Sequence, residues 1–185
     1  MDTLLAIASR RDERRTLPDP LPPELALRLL DAGRLSGSSR NSQPWTFVVP
    51  EGRQRIEQLA AAVFVPENVL AAGLVVAIVV RGKGPVLFDA GRAAQSMLLA
   101  AWAEGVASCP NGISDVDLAG RSLAATDDET PVIVLSFGLP EKPRDPSGAR
   151  QRNGAPGRTA SRSTRSCGGS PDEHASVTRM LRCRR

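Results

Sequence analysis

Residues Ser36 to Val49 read SGSSRNSQPWTFVV, and the change of character in the middle of that stretch sets the architecture. Ser36–Gln43 is small and polar, with Gly37 free of the backbone limits that bind other residues. Trp45–Val49 is aromatic and β-branched, the composition of a strand in a buried sheet. Pro44 disfavours helical geometry at Gln43, so the polar half is predicted to be a turn or helix end feeding straight into the strand. Backbone N–H groups, the hydroxyls of Ser38 and Ser39 and the amides of Asn41 and Gln43 make this loop a cluster of donors. Donors carried on a rigid strand suit a phosphate or a polar, electron-rich ring. Composition alone favours the plainer reading, an ordinary helix-to-strand connection.

Upstream, Asp2 is placed to cap a helix over Thr3–Arg10 with Leu4, Leu5 and Ile7 on its apolar side. That helix runs into RRDERR, Arg10–Arg15. Such a run is usually a solvated helix end, but arginines also bind phosphate bidentately. Leu17–Pro23 should be extended, and Pro23 suits the start of a helix through Arg34 carrying Leu25, Leu27, Leu29 and Leu30.

Downstream, Glu51–Val63 reads as an amphipathic helix with Ile56, Leu59, Ala60 and Val63 on one side. A short helix near Glu67–Ala72 precedes LVVAIVV, Leu74–Val80, which is apolar on both faces and therefore an interior strand. RGKGP, Arg81–Pro85, lacks the spacing and the Ser/Thr of a phosphate-binding loop and is read as a turn. Phe88–Gly105 is a long helix, apolar on most sides and so expected to be buried on most sides, in the core or between subunits. Ala107–Ile113 is read as a loop, Ser114–Leu123 as a helix and Pro131–Gly138 as a third strand. Cys109 reads as a small packed side chain, because no histidine lies near it to make it a nucleophile.

The chain of 185 residues is long enough for one domain with a real core. With aromatics at 3% and no tyrosine, that core must be aliphatic. No run reaches the roughly 18 apolar residues of a membrane span, and the N-terminus lacks the pattern of a signal peptide. Cys109, Cys167 and Cys183 are odd in number and widely spaced, which argues against a disulfide framework and for a reducing, cytoplasmic location. With His174 they fit no usual zinc spacing. The net charge of +4 divides unevenly: residues 141–185 hold eleven Lys/Arg and four Asp/Glu, or +7, which leaves the first 140 at −3. The high pI therefore gives no ground for nucleic-acid binding by the folded part.

SSRNSQPW resembles the Ser-Ser-x-Asn-x-Gln-Pro-Trp signature of the nitroreductase family of flavin-dependent oxidoreductases, and the likeness runs from about Leu4 to Pro140. The resemblance implies an α+β fold, a three-layer α/β/α arrangement of a central mixed sheet between helices. It also implies an intertwined homodimer with the long buried helix near its interface. FMN is the implied cofactor and NADH or NADPH the implied donor, with hydride passing through the flavin to a nitroaromatic, quinone or similar small aromatic acceptor. Flavin carries that chemistry, which accounts for the lack of any catalytic triad or carboxylate pair. Arg10, Arg11 and Arg14 match the basic positions that hold the FMN phosphate. Asp12 stands where the family has Ser, and a carboxylate there repels phosphate unless an arginine intervenes. Ser38, Ser39, Asn41 and Gln43 fall on the ring-binding loop, and Pro110, Asn111 and Gly112 on the segment against one flavin face.

From residue 143 onward the composition turns to Arg, Ser, Gly and Pro, which divides the chain into a flavin-binding domain, 1–142, and a basic tail, 143–185, read as disordered. The resemblance assigns basic residues here to the flavin phosphate, and Arg150, Arg152 and Arg158 can supply them. It also implies a C-terminal arm reaching the partner subunit, for which the tail has almost no apolar periodicity. One permitted back-translation of Arg158–Ser170, read two nucleotides later, gives HGLSIDEVVRWE, similar to the family's usual ending, so a shifted reading frame is expected. The competing readings are a nitroreductase-fold protein with impaired flavin binding and a basic-tailed protein that binds nucleic acid through its last forty or so residues.

Overall fold

The computed structural model describes residues 2–142. Four strands make one sheet: β1 (Trp45–Val48), β2 (Leu74–Arg81), β3 (Ala107–Asn111) and β4 (Glu129–Gly138), in the order β1-β2-β4-β3. Six helices surround it: α1 (Thr3–Ser9), α2 (Pro23–Arg34), α3 (Arg53–Ala60), α4 (Pro66–Leu70), α5 (Val86–Ala103) and α6 (Val116–Ser122). The α+β class stands, but the expectation of a mixed sheet is corrected. Every strand pairing among the described residues is antiparallel.

The interior strand predicted at Leu74–Val80 explains the layers. Along β2, Val75 to Val80 are all buried, and alternation sends them to opposite faces. Val76, Ile78 and Val80 pack with Leu29 of α2 and with Ala93, Met97 and Ala101 of α5. Val75, Ala77 and Val79 pack with Leu59, Val69 and Ala119, from α3, α4 and α6. Burying a Val or Ile side chain stabilises by about 1.5–3 kcal/mol, so this one strand joins two cores. Pro131 sits in β4 beyond the reach of β3, which pairs only with Val134–Gly138, so β2 is its one neighbour and its missing N–H touches a single ladder. The register accommodates it, slipping between Ile78 and Val79 so that Val79 faces Pro131 and Val132 is the extra residue.

Several boundaries follow local chemistry. The Asp2 carboxylate accepts the Leu5 N–H at 3.0 Å and caps α1 as predicted, and Pro23 opens α2. Other expectations fail. The inward side of α1 is Ala6 and Ser9, while Leu4 and Ile7 are exposed, as is Leu27 on α2. The expectation for α5 is different, since it allowed burial between subunits: within one copy the core takes a single face, Asp89, Ala90, Ala93, Ala94, Met97, Leu98, Ala101 and Trp102, and leaves Leu87, Phe88 and Gly91 exposed on the other. Ala107–Asn111 is a strand rather than the predicted loop, because its backbone completes the ladder of β4. Its short, proline-containing sequence gives no periodicity from which to read that. No helix of the described residues is long and apolar enough to cross a membrane.

Candidate functional site

The loop before β1 is held in a rare conformation. Residues Ser39–Asn41 form one tight 3₁₀ turn, and Arg40, Asn41 and Gln43 have φ of 53°, 54° and 45°. Left-handed backbone costs an L-residue about 1–2 kcal/mol, so three such residues in four need outside support. Part of it is internal: the Gln43 N–H donates to Ser38 Oγ at 2.8 Å, and the Asn41 N–H to the Ser38 carbonyl at 3.0 Å. The rest comes from α5. The Ser39 N–H donates to Asp89 Oδ2 at 2.8 Å, and Ser36 Oγ and Ser96 Oγ are 2.7 Å apart. Gly37 leaves its Cβ space to the Arg92 guanidinium. Ser39, Arg40, Asn41 and Gln43 are exposed. The Ser38 hydroxyl, by contrast, already accepts a bond within the loop.

The arginine run lies at the other edge of the sheet. The Glu13 N–H donates to the Ser108 carbonyl, Leu17 to Leu139 and Glu141 to Arg15, so the segment after α1 runs beside β3 and the end of β4. Arg10 Nη1 meets Asp12 Oδ1 at 2.9 Å. This is the intervening arginine that the Asp12 substitution calls for. Arg11 folds back onto the carbonyls of Ala8 and Arg10. Arg14 is an exposed residue whose side chain reaches Cys109. Burial pushes the Cys109 thiol up, and Arg14 and Arg10 nearby pull it down by less. A thiol held protonated in this way is a packed side chain rather than a nucleophile.

Pro110, Asn111 and Gly112 close the β3 edge. The Asn111 side chain is buried and committed: Nδ2 reaches the Cys109 and Val134 carbonyls and Ser136 Oγ at 3.1–3.2 Å, while Oδ1 accepts from Asn68 Nδ2 at 2.9 Å. Any contact from Asn111 to a ligand is therefore left to its main chain. Gly112 accepts the Phe64 N–H, and its bare Cα lies under the Phe64 ring, which is 74% exposed. Arg150, Arg152 and Arg158 lie outside the described residues, as do Cys167, His174 and Cys183. Among the described residues no group of three or more His, Cys, Asp or Glu is placed to hold a metal ion.

The structure thus collects the predicted residues into two sets. Ser38–Gln43 lies by β1; Arg10, Arg14 and Pro110–Gly112 lie by β3. The two edge strands are three spacings apart, roughly 14 Å. Helix α5 joins the sets, holding the loop through Asp89 and α1 through the Trp102 Nε1 to Ser9 Oγ bond at 2.7 Å. Those attachment points are thirteen residues apart, about 20 Å of helix. Sequence reasoning missed Asp89, Arg92, Ser96, Asn68 and Phe64. The first three had a signal, polar residues at i, i+3 and i+7 in an apolar helix, hence on one face.

Residues 7–83 and 84–139 match the model of the nitroreductase family. A protein of Methanothermobacter thermautotrophicus (strain Delta H), provisionally named an NADH dehydrogenase/NAD(P)H nitroreductase, is 28% identical over 151 residues, which cover 76% of this chain and 78% of the relative. The fold is similar to that of a nitroreductase family protein from Clostridium novyi NT (TM-score 0.72, 20% identity, 80% of this chain and 92% of that one). It is also similar to that of nitroreductase A from Vibrio parahaemolyticus (TM-score 0.71, 20% identity, 77% and 69%). A family pattern over most of the chain, carried on this sheet and these helices, makes the protein a member of the nitroreductase family.

Proposed function

We propose that the protein is an FMN-dependent oxidoreductase that takes hydride from NADH or NADPH and delivers reducing equivalents to a nitroaromatic, quinone or similar acceptor. The observation that carries this reading is the loop Ser38–Gln43, built with exposed donors and with three left-handed residues held at a cost in backbone strain. A plain connection needs no such geometry. The donor chemistry of the described residues fits the cofactor in two parts. Guanidinium groups at Arg10 and Arg14, with Arg11 beside them, suit its phosphate. Amides and hydroxyls at Ser39, Asn41 and Gln43, with main-chain N–H groups at Asn111 and Gly112, suit the ring's oxygens and nitrogens.

When bound, FMN supplies the hydride-accepting and hydride-donating chemistry. The chain's own residues bind, orient and polarise. Donors aimed at the ring stabilise added electron density because they are fixed in advance and need no reorganisation. The two donor sets stand on opposite sheet edges of one copy. That separation favours a homodimer in which the arginine segment of one copy faces the loop of the other, and the exposed Leu4, Ile7, Leu87 and Phe88 offer it apolar surface. We further infer that residues 1–142 are the flavin-binding domain and 143–185 a separate basic tail. The free, buried Cys109 suits a reducing, cytoplasmic setting.

The test is spectroscopic and kinetic. The full chain purified in the presence of FMN should be yellow with flavin absorbance. It should oxidise NADH or NADPH when a quinone or nitroaromatic is supplied. Colourless protein that neither retains added FMN nor consumes either nicotinamide would overturn the reading.

A further inference from the structure

Asp89 is only 2% exposed, in the first turn of a helix whose buried face is otherwise aliphatic apart from Trp102. A carboxylate placed so deep is costly unless hydrogen-bonded. Packing needs do not account for it, since an aliphatic side chain would continue the face made by Ala90, Ala93 and Ala94. Its partners do. Oδ2 accepts the main-chain N–H of Ser39, and Oδ1 faces Arg92 Nη1 at 3.5 Å. Arg92 fills the space beside Gly37 and lies over the Phe88 ring, 5.8 Å from its centroid. One turn on, Ser96 meets Ser36. Three consecutive contacts along α5 therefore grip the chain at 36, 37 and 39. The residues with positive φ begin immediately afterwards, at 40, 41 and 43.

We infer that Asp89 is a positioning residue, which by holding the Ser39 N–H fixes the left-handed residues Arg40, Asn41 and Gln43 in the one conformation that presents the loop's donors to the cofactor. Arg92 orients the carboxylate and Ser96 anchors the approach. The inference rests on the flavin reading for the identity of the ligand, but the geometric half of it does not need flavin. Ser39 is the last residue held from outside before the strained turn. Without that hold, Arg40, an L-residue with an exposed side chain, is free to relax to negative φ. The Asn41 and Gln43 N–H bonds to Ser38 then open, and the donors scatter.

The experiment compares Asp89→Ala and Asp89→Asn in the full chain. It reads amide hydrogen exchange at Asn41, Ser42 and Gln43 without flavin, and FMN affinity by fluorescence quenching. Asp89→Ala should speed exchange at those three amides at least tenfold and weaken FMN binding about tenfold. Asp89→Asn keeps an acceptor for the Ser39 N–H and should recover most of both. Arg40→Gly in the Asp89→Ala background lifts the penalty on positive φ and should recover part of the affinity, which a merely structural role for Asp89 would not allow. Should Asp89→Ala fail to fold, Asp89→Ser takes its place, polar but too short to reach Ser39. Exchange unchanged in the folded variant overturns the inference. So does faster exchange with FMN affinity intact. If the unaltered protein does not bind FMN, the flavin reading fails alone, and the exchange data decide whether Asp89 holds the loop.

Discussion

The guanidinium of Arg10 is bound to the carboxylate of Asp12, 2.9 Å away and two residues on. A cation paired in this way is only partly available to a phosphate. Two opposite effects follow. Asp12→Ser removes the competing anion and should tighten FMN binding several-fold. Arg10→Ala with Arg14→Ala should lower it far more than it lowers folding, since each charge-assisted phosphate contact is worth about 1.5–3 kcal/mol. Flavin content after dialysis, set beside thermal unfolding, reads both. Equal content in the double variant and the unaltered protein would remove these arginines from the site.

Two donor sets at opposite sheet edges make a prediction about mixed assemblies. Arg10→Ala/Arg14→Ala and Asn41→Ala should each lose FMN affinity when purified alone. Mixed at equal concentration and allowed to exchange subunits, they should regain it in part, because one interface in the mixed dimer has an intact arginine segment facing an intact loop. No recovery, with subunit exchange demonstrated, would place both sets in the service of separate sites.

Cys109 gives the molecule a dependence on alkaline pH. Burial raises its thiol above the ordinary value, so the folded state holds the proton more firmly than the unfolded chain does. Its contribution is complete below the unfolded value and is lost as pH rises through the folded one. Stability measured by denaturant should fall as pH rises above the ordinary thiol value of about 8.5, and Cys109→Ala should flatten that slope. An identical slope in the variant would assign the alkaline loss to other groups.

Asn111 should behave as a structural residue. Its removal takes the Oδ1 acceptor from the half-buried Asn68 amide and one donor each from the Val134 carbonyl and the Ser136 hydroxyl, which keeps its bond to the Cys109 carbonyl, and each group left unsatisfied costs about 1–3 kcal/mol. Asn111→Ala should therefore destabilise by about 2–4 kcal/mol. FMN affinity in the surviving folded protein should change little, since only the main chain of Asn111 is left to face a ligand. A large affinity loss at unchanged stability would reverse that assignment.

The layers of the fold were legible because β2 is apolar at consecutive positions, which only a strand covered on both faces tolerates. The strand after Pro44 and the caps at Asp2 and Pro23 were legible for local reasons too. β3 was not: its five residues, ASCPN, contain a proline, and only pairing with β4 makes them a strand. The exposed apolar side of α1 was misread because apolar periodicity says which residues avoid water, not what covers them. At the site, the donors of the loop were legible as residue types, but the motif SSRNSQPW and not composition marked them as a site. The loop's support was not legible, since Asp89, Arg92 and Ser96 stand fifty and more positions along the chain and meet the loop only after α5 has packed.

The main-chain bonds from Leu17 to Leu139 and from Glu141 to Arg15 tie the beginning of the domain to its end. On the ribosome this sets an order of events. The loop Ser38–Gln43 has its supports once residue 96 has emerged, whereas the arginine segment, made first, has nothing to lie against until β3 and β4 follow. At about 5–20 residues per second, the nascent chain carries a finished loop and an unplaced arginine strand for several seconds. Premature termination after residue 96 and before residue 138 would yield a product holding one supported donor set and lacking the dock for the other.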